Sequence, residues 1–184
     1  MKWITVRLFL SRKPCGSDDE QRASANVAID LFIFIKWSVV LAALIVRPTS
    51  DVWLYVIIYL ISYNLFSYFY YHAWGGGEPV SARDKGRQQR RLFSFLQAFF
   101  FSILGFAFIY LVPLCEDVSW PEQVNGWDAL LLSISNSFTL TYEGFQPTTR
   151  LGRTVLVIQV LNSFFFLTVL VANSLPNLSS GEGA

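Results

Sequence analysis

Charge in this chain is segregated, and that segregation limits its fold more than any other feature. Four apolar stretches, at about residues 27–46, 52–71, 92–114 and 154–175, hold few charged residues, while most of the charge falls between them. Each approaches the roughly 20 residues a helix needs to cross the hydrocarbon of a bilayer. Charged residues make up only 15% of the 184 positions and apolar residues 53%, against roughly 25% charged in a soluble domain. A soluble helical bundle would need polar faces recurring at helical period, and those faces are missing. The expected fold is therefore all-α and membrane-embedded, with four spans.

The ends of the stretches carry matching signals. Arg47-Pro48 closes the first, because proline cannot continue a helix. Trp53 and Tyr55 open the second, and Tyr68, Tyr70, Tyr71 and Trp74 close it. Such aromatic belts mark the membrane–water interface. The fourth stretch stops at Pro176. Basic residues set the direction. Lys2, Arg7, Arg12, Lys13 and Arg22 precede the first span, and Arg83, Lys85, Arg87, Arg90 and Arg91 separate the second from the third. Glu116, Asp117, Glu122, Asp128 and Glu143 lie between the third and fourth. Both termini and the basic loop are expected in the cytoplasm and the acidic segment outside, in the plasma membrane of a cell.

Several functions are disfavoured by what the chain holds. A net charge of +1 gives no footprint for nucleic acid. Cys15 and Cys115 are far apart, lack metal-ligand spacing and fall on opposite sides of the membrane in this orientation. Met1–Leu10 lacks the cleavage site of a signal peptide and reads as a short interfacial helix. One histidine, His72, and scattered carboxylates do not make a catalytic constellation, so no enzyme activity and no cofactor are expected. Asp30 and Lys36 lie inside the first span, where charge is costly. Lys36 needs a polar partner, with Tyr63 and Asn64 on the second span as candidates. No span carries arginines at every third position, so steep voltage gating is not expected.

The connection from Cys115 to Arg153 is irregular. It contains a second apolar run, 127–140, too short to span. Gly126-Trp127-Asp128 opens that run like a helix start, with Asp128 near the positive end of the helix dipole. A non-helical stretch from Thr139 to Gly144 follows. Non-helical backbone at membrane depth is tolerated only when protein or a water-filled cavity surrounds it. A re-entrant loop has this character.

The residues from Ser133 to Arg153 read S-I-S-N-S-F-T-L-T-Y-E-G-F-Q-P-T-T-R-L-G-R. With helix, half-helix and helix around them, they resemble the tetrameric P-loop cation channels, best known from the potassium channels. The resemblance covers about residues 92–175. Registered on Pro147 and Gly152-Arg153, Thr139, Leu140 and Tyr142 fall on the threonine, valine and tyrosine of the family filter T-V-G-Y-G-D. Phe145 and Pro147 are similar to the F-x-P of the non-selective sodium/potassium branch. The resemblance implies a homotetramer, since one chain holds one pore loop, with a filter or ion-binding site at Thr139, Leu140, Thr141, Tyr142, Glu143 and Gly144.

The departures change what that filter would do. Thr141 and Glu143 replace both filter glycines, whose left-handed backbone aims carbonyls into the pore. Leu131 and Leu132 replace pore-helix aromatics, and Ser163 stands at a common hinge-glycine position. Four copies of Glu143 would instead form a carboxylate ring binding calcium or sodium, in a channel that is not potassium-selective. The bland reading of Glu143 is a solvated loop residue. Calcium, sodium and potassium are the candidate permeant or blocking ions. On the fourth span Gln159, Asn162, Ser163, Phe166, Leu170 and Asn173 recur at helical spacing. They line an inner cavity and gate in the channel reading, or join helices through polar side chains in the alternative.

The expected organisation is a cytoplasmic segment 1–26, a peripheral hairpin 27–74, a basic loop 75–91, a pore module 92–176 and a tail 177–184. A small transporter or a non-conducting membrane assembly protein is the competing function. Against a transporter, the first two spans do not resemble the last two.

Overall fold

The computed structural model of the chain describes residues 18–73, 85–120, 125–140 and 144–174. They are mostly helical. In chain order the elements are α1 (Asp18–Val46), α2 (Asp51–Ala73), α3 (Lys85–Leu111), β1 (Val118–Ser119), α4 (Gly126–Ser137), β2 (Gln146–Pro147) and α5 (Arg150–Ser174). Among the described residues three helices are long and apolar enough to cross a membrane, in the windows Asp51–Phe69, Leu92–Leu111 and Arg150–Thr168. The first expected span lies within α1, and among the described residues its apolar part is Leu31–Val46.

Helix ends follow local chemistry. Arg47 turns left-handed (φ 51°) and donates its N–H to Ala43 O at 2.9 Å, closing α1 just before Pro48. The third helix ends at Leu111, three residues short of expectation. Pro113 stops it, and Leu114 N–H folds back to Ile109 O at 3.0 Å. Its start differs too: residues 85–91 of the expected basic loop are the first turns of α3. Thr149 caps α5 through its hydroxyl, which accepts from Gly152 N–H at 3.1 Å, so α5 begins earlier than expected. The reading of Met1–Leu10 lies outside the described residues.

The core is organised on α3. Of its membrane-length window 61% is buried within the chain, against 17% for α2 and 28% for α5. Thus α3 is the central helix, and α2 and α5 present apolar faces outward. Phe101, Phe106, Phe108 and Tyr110 of α3 pack with Val40 and Ala43 of α1, Ile57 and Ile61 of α2 and Leu132 of α4. A second cluster joins Phe95 and Phe99 of α3 to Phe166 of α5, with Tyr68 of α2 against it. Gly105 lets α2 approach, since a Cβ there would meet Ile61 Cδ1 at 2.7 Å.

At the end of the bundle carrying the α1–α2 turn, here called the upper end, β1 and β2 pair antiparallel with Val118 opposite Pro147. This two-residue ladder adds a small β element to the all-α expectation. Thr148 N–H donates to Asp117 O at 2.9 Å, and Trp120 meets Phe145 edge-on at 5.1 Å between centroids. The Thr149 hydroxyl donates to the Asp117 carboxylate. A Cβ at Gly152 would meet Asp117 O at 2.6 Å, so only glycine fits there without movement. Asp117 is thus a structural residue that ties the end of α3 to the start of α5.

Candidate functional site

The twelve-residue helix α4 starts at the upper end, where Gly126 lies close to Leu111 of α3 and to Arg47. Asn125 caps it, accepting from Asp128 N–H at 2.8 Å. The sequence had marked the helix start at 126–128 but not this cap. The far end of α4 is held by polar side chains. Ser133 Oγ donates to Ile103 O at 2.7 Å, and Asn136 Nδ2 donates to Leu156 O at 3.0 Å and to Gln159 Oε1 at 2.9 Å. Gln159 Nε2 donates to Ser133 O, Ser133 Oγ and Ser137 Oγ at 2.8–2.9 Å. Tyr110 Oη donates to Gln159 Oε1. Ile103 and Gln159 lie near the middle of the windows Leu92–Leu111 and Arg150–Thr168. The C-terminal end of α4 is therefore bonded to the midpoints of two membrane-length helices.

There the helix breaks. Thr139 adopts φ 56°, Thr139 N–H donates to Asn136 O at 3.1 Å, and Leu140 N–H donates to Ser135 O at 2.8 Å. These two bonds form a Schellman C-cap with Thr139 in the left-handed position that glycine usually fills. A β-branched residue at positive φ is strained. The sequence had marked Thr139 as the start of non-helical backbone, and the break falls there. Thr141 and Glu143, at the filter-glycine positions, lie with Tyr142 outside the described residues. Gly144 follows at φ 89°, and by Gln146 the chain is back at the upper end, paired with β1. Thr139 and Leu140 are exposed, as is Gly144.

The stripe on α5 had two readings, cavity lining or helix joining, and its described part packs within the chain. Gln159, Asn162, Ser163 and Phe166 are all nearly or fully buried within the chain, with Gln159 and Phe166 at 0% and 1% exposure. Gln159 binds α4 and Tyr110, Asn162 Nδ2 donates to Ser102 Oγ of α3, and Phe166 meets Phe95 and Phe99 edge-on and Tyr68 at a tilt. Gln159, Asn162 and Phe166 thus join helices within the chain, while the Ser163 hydroxyl is buried without a hydrogen-bond partner among the described residues. For Gln159 and Asn162 the physical reason is that α4 and α3 present polar groups that must be satisfied at membrane depth. Leu170 and Asn173 lie in the last turns of α5, with side chains outside the described residues. The opposite face of α5, with Val157, Leu161 and Phe164, is exposed and apolar.

Sequence reasoning missed the partners of Gln159. The signal was present: Ser133, Asn136 and Ser137 stand at i, i+3 and i+4 in an otherwise apolar run.

Lys36 has one of its two expected partners. Its Nζ donates to Asn64 Oδ1 at 2.7 Å and lies 4.6 Å from the Phe101 ring centroid. Asn64 Nδ2 donates to Ala98 O at 2.9 Å. Tyr63, the other candidate, packs its ring on Phe32 and Tyr59. The side chains of Asp30 and His72 lie outside the described residues.

These features define a class, a mostly helical protein with, among its described residues, three membrane-length helices and a half-length helix packed against two of them. No protein family, curated protein or solved structure matches the chain.

Proposed function

We propose that the chain is one subunit of a homotetrameric cation channel of the plasma membrane, with both termini cytoplasmic and residues 139–144 forming an acidic, non-potassium-selective filter. The single observation that carries this reading is the course of residues 126–140 and 144–147. A half-length helix runs from the upper end to the middle of α3 and α5, breaks at Thr139, and the chain returns to the upper end within a few residues. Backbone that breaks at membrane depth needs protein or water around it, and four such loops around one axis would provide both. The negative end of the α4 dipole lies at that depth and favours a cation nearby.

In this reading Glu143 supplies a ring of carboxylates that binds cations through field strength. Calcium, a hard divalent ion, relieves repulsion among carboxylates better than sodium or potassium does. With Gln159, Asn162, Ser163 and Phe166 buried within the chain, another face of α5 would form the gate. The face left for the axis is Val157, Leu161 and Phe164, so closure is by dewetting of an apolar constriction.

Cation flux into liposomes reconstituted with the purified protein is the test. Monovalent flux is expected, with block by external calcium, and Glu143→Gln should relieve that block while leaving assembly intact. Absence of flux, or calcium sensitivity unchanged in Glu143→Gln, would overturn the filter reading.

A further inference from the structure

A groove of about 580 Å³ lies at the upper end between α2 and α5, with α3 as its floor. Its shape follows from how the two walls diverge. Toward their other ends α2 and α5 touch through Phe69 on Phe165 and Tyr68 on Phe166, at centroid distances of 6.4 and 5.7 Å. Toward the upper end they separate, leaving Ile58 on one side and Val155 and Ile158 on the other, over Phe108 and Ile109.

The groove runs along α2 from Asp51 to Ser62. At about 1.5 Å per residue this is roughly 16 Å, about half of a roughly 30 Å hydrocarbon core and so the depth of one leaflet. Its walls are apolar at hydrocarbon depth. Its mouth, at the interfacial end, is lined by Thr49, Ser50 and Asp51. The volume falls within the roughly 300–1,000 Å³ of small-ligand sites. Both walls belong to membrane-length helices, so what the groove meets is lipid, and leaving it empty would forfeit the dispersion contacts of its lining.

We infer that this groove holds one acyl chain of a membrane phospholipid whose amine-bearing headgroup is recognised at Asp51. Asp51 is the charged residue lining the groove, and it complements an ammonium, while the Thr49 and Ser50 hydroxyls can donate to the phosphate. An anionic headgroup without an amine meets a like charge there. A lipid suits the groove better than a helix from a second copy, since it is one leaflet deep and closed at its lower end by aromatic contacts. Val157 and Leu161 of α5 do not line it and remain free for assembly. The inference goes beyond the channel reading and does not depend on conduction.

The test is native mass spectrometry of the full chain, reconstituted in vesicles of equal phosphatidylethanolamine and phosphatidylglycerol and then extracted in mild detergent. One retained phosphatidylethanolamine per chain is expected, with its preference over phosphatidylglycerol lost in Asp51→Asn. Ile58→Trp and Ile158→Trp, which fill the groove from opposite walls, should each abolish the adduct, whereas Ile45→Trp on α1 should keep it. No retained lipid, equal retention of the two lipids by the native chain, or an adduct that survives in both groove-filling variants would overturn the inference. Loss of lipid with assembly intact in only the groove-filling variants supports it whether or not the protein conducts.

Discussion

Thr139 shows how a single residue can work against the local rule of its element. A Schellman cap asks for glycine because the left-handed region brings Cβ against the backbone, yet threonine holds it here at φ 56°. Strain of this kind persists where the surroundings impose it, and it gathers at functional sites. Its own hydroxyl donates to Phe138 O at 2.7 Å, at the start of the proposed filter. Thr139→Gly should therefore stabilise the protein by about 1 kcal/mol, a rise of ~2–4 °C in melting temperature for a chain of this size. In liposomes the same variant should change cation selectivity if the hydroxyl contributes to the ion path. A lower melting temperature in detergent would show that threonine makes contacts worth more than the strain. Lys36 illustrates the opposite case, a costly group made tolerable. Its ammonium, inside the first helix, has a neutral acceptor and an aromatic face in place of a carboxylate.

At the scale of elements, α4 stays where it is because of polar bonds, and Gln159 is their centre. Its amide donates three hydrogen bonds to α4 and its carbonyl accepts from Tyr110 and Asn136. An apolar side chain of similar size would leave those groups buried without partners, at about 1–3 kcal/mol for each that water cannot reach. Gln159→Leu should thus lower the melting temperature far more than Ile45→Leu on the exposed face of α1, and should abolish flux by freeing α4. Retained stability and flux in Gln159→Leu would mean that packing on Leu132 and Ile103 suffices to seat the helix. The upper end is secured differently, by the β1–β2 ladder and by the close approach of Gly152 to Asp117. The loop between α4 and α5 is therefore anchored on both sides of residues 139–144.

For the whole molecule, the burial pattern points outward. The central helix α3 is largely enclosed, whereas α5 leaves an apolar face, with Val157, Leu161 and Phe164, uncovered by its own chain. In the proposed assembly that face turns toward a fourfold axis. Native mass spectrometry of the detergent-solubilised protein should then show a tetramer, and Phe164→Arg should dissociate it by placing charge in the contact. A stable monomer or dimer of the native chain would count against the channel reading, and would leave the α5 face to lipid.

How much of this could be read from the sequence differs from feature to feature. The sequence by itself determined that long apolar helices alternate with charged segments, that a short helix opens at Gly126, and that it breaks at Thr139. It also named Asn64, beside Tyr63, as one of two candidate partners for Lys36. Composition, helix stops and the expense of a lone charge in hydrocarbon are properties of short segments, and segments carry them in order. What only the tertiary structure decided is which way a helix faces. Gln159, Asn162, Ser163 and Phe166 form the same stripe whether they line a cavity or join helices, because helical period reveals a common face without naming its neighbour. The answer came from Ser102, Tyr110, Ser133, Asn136 and Ser137, residues 22 to 60 positions away that only folding brings into hydrogen-bonding distance. The ladder at Val118 and Pro147 and the groove between α2 and α5 were hidden for the same reason. Each is made by segments far apart in the chain, and its existence depends on how closely their helices approach.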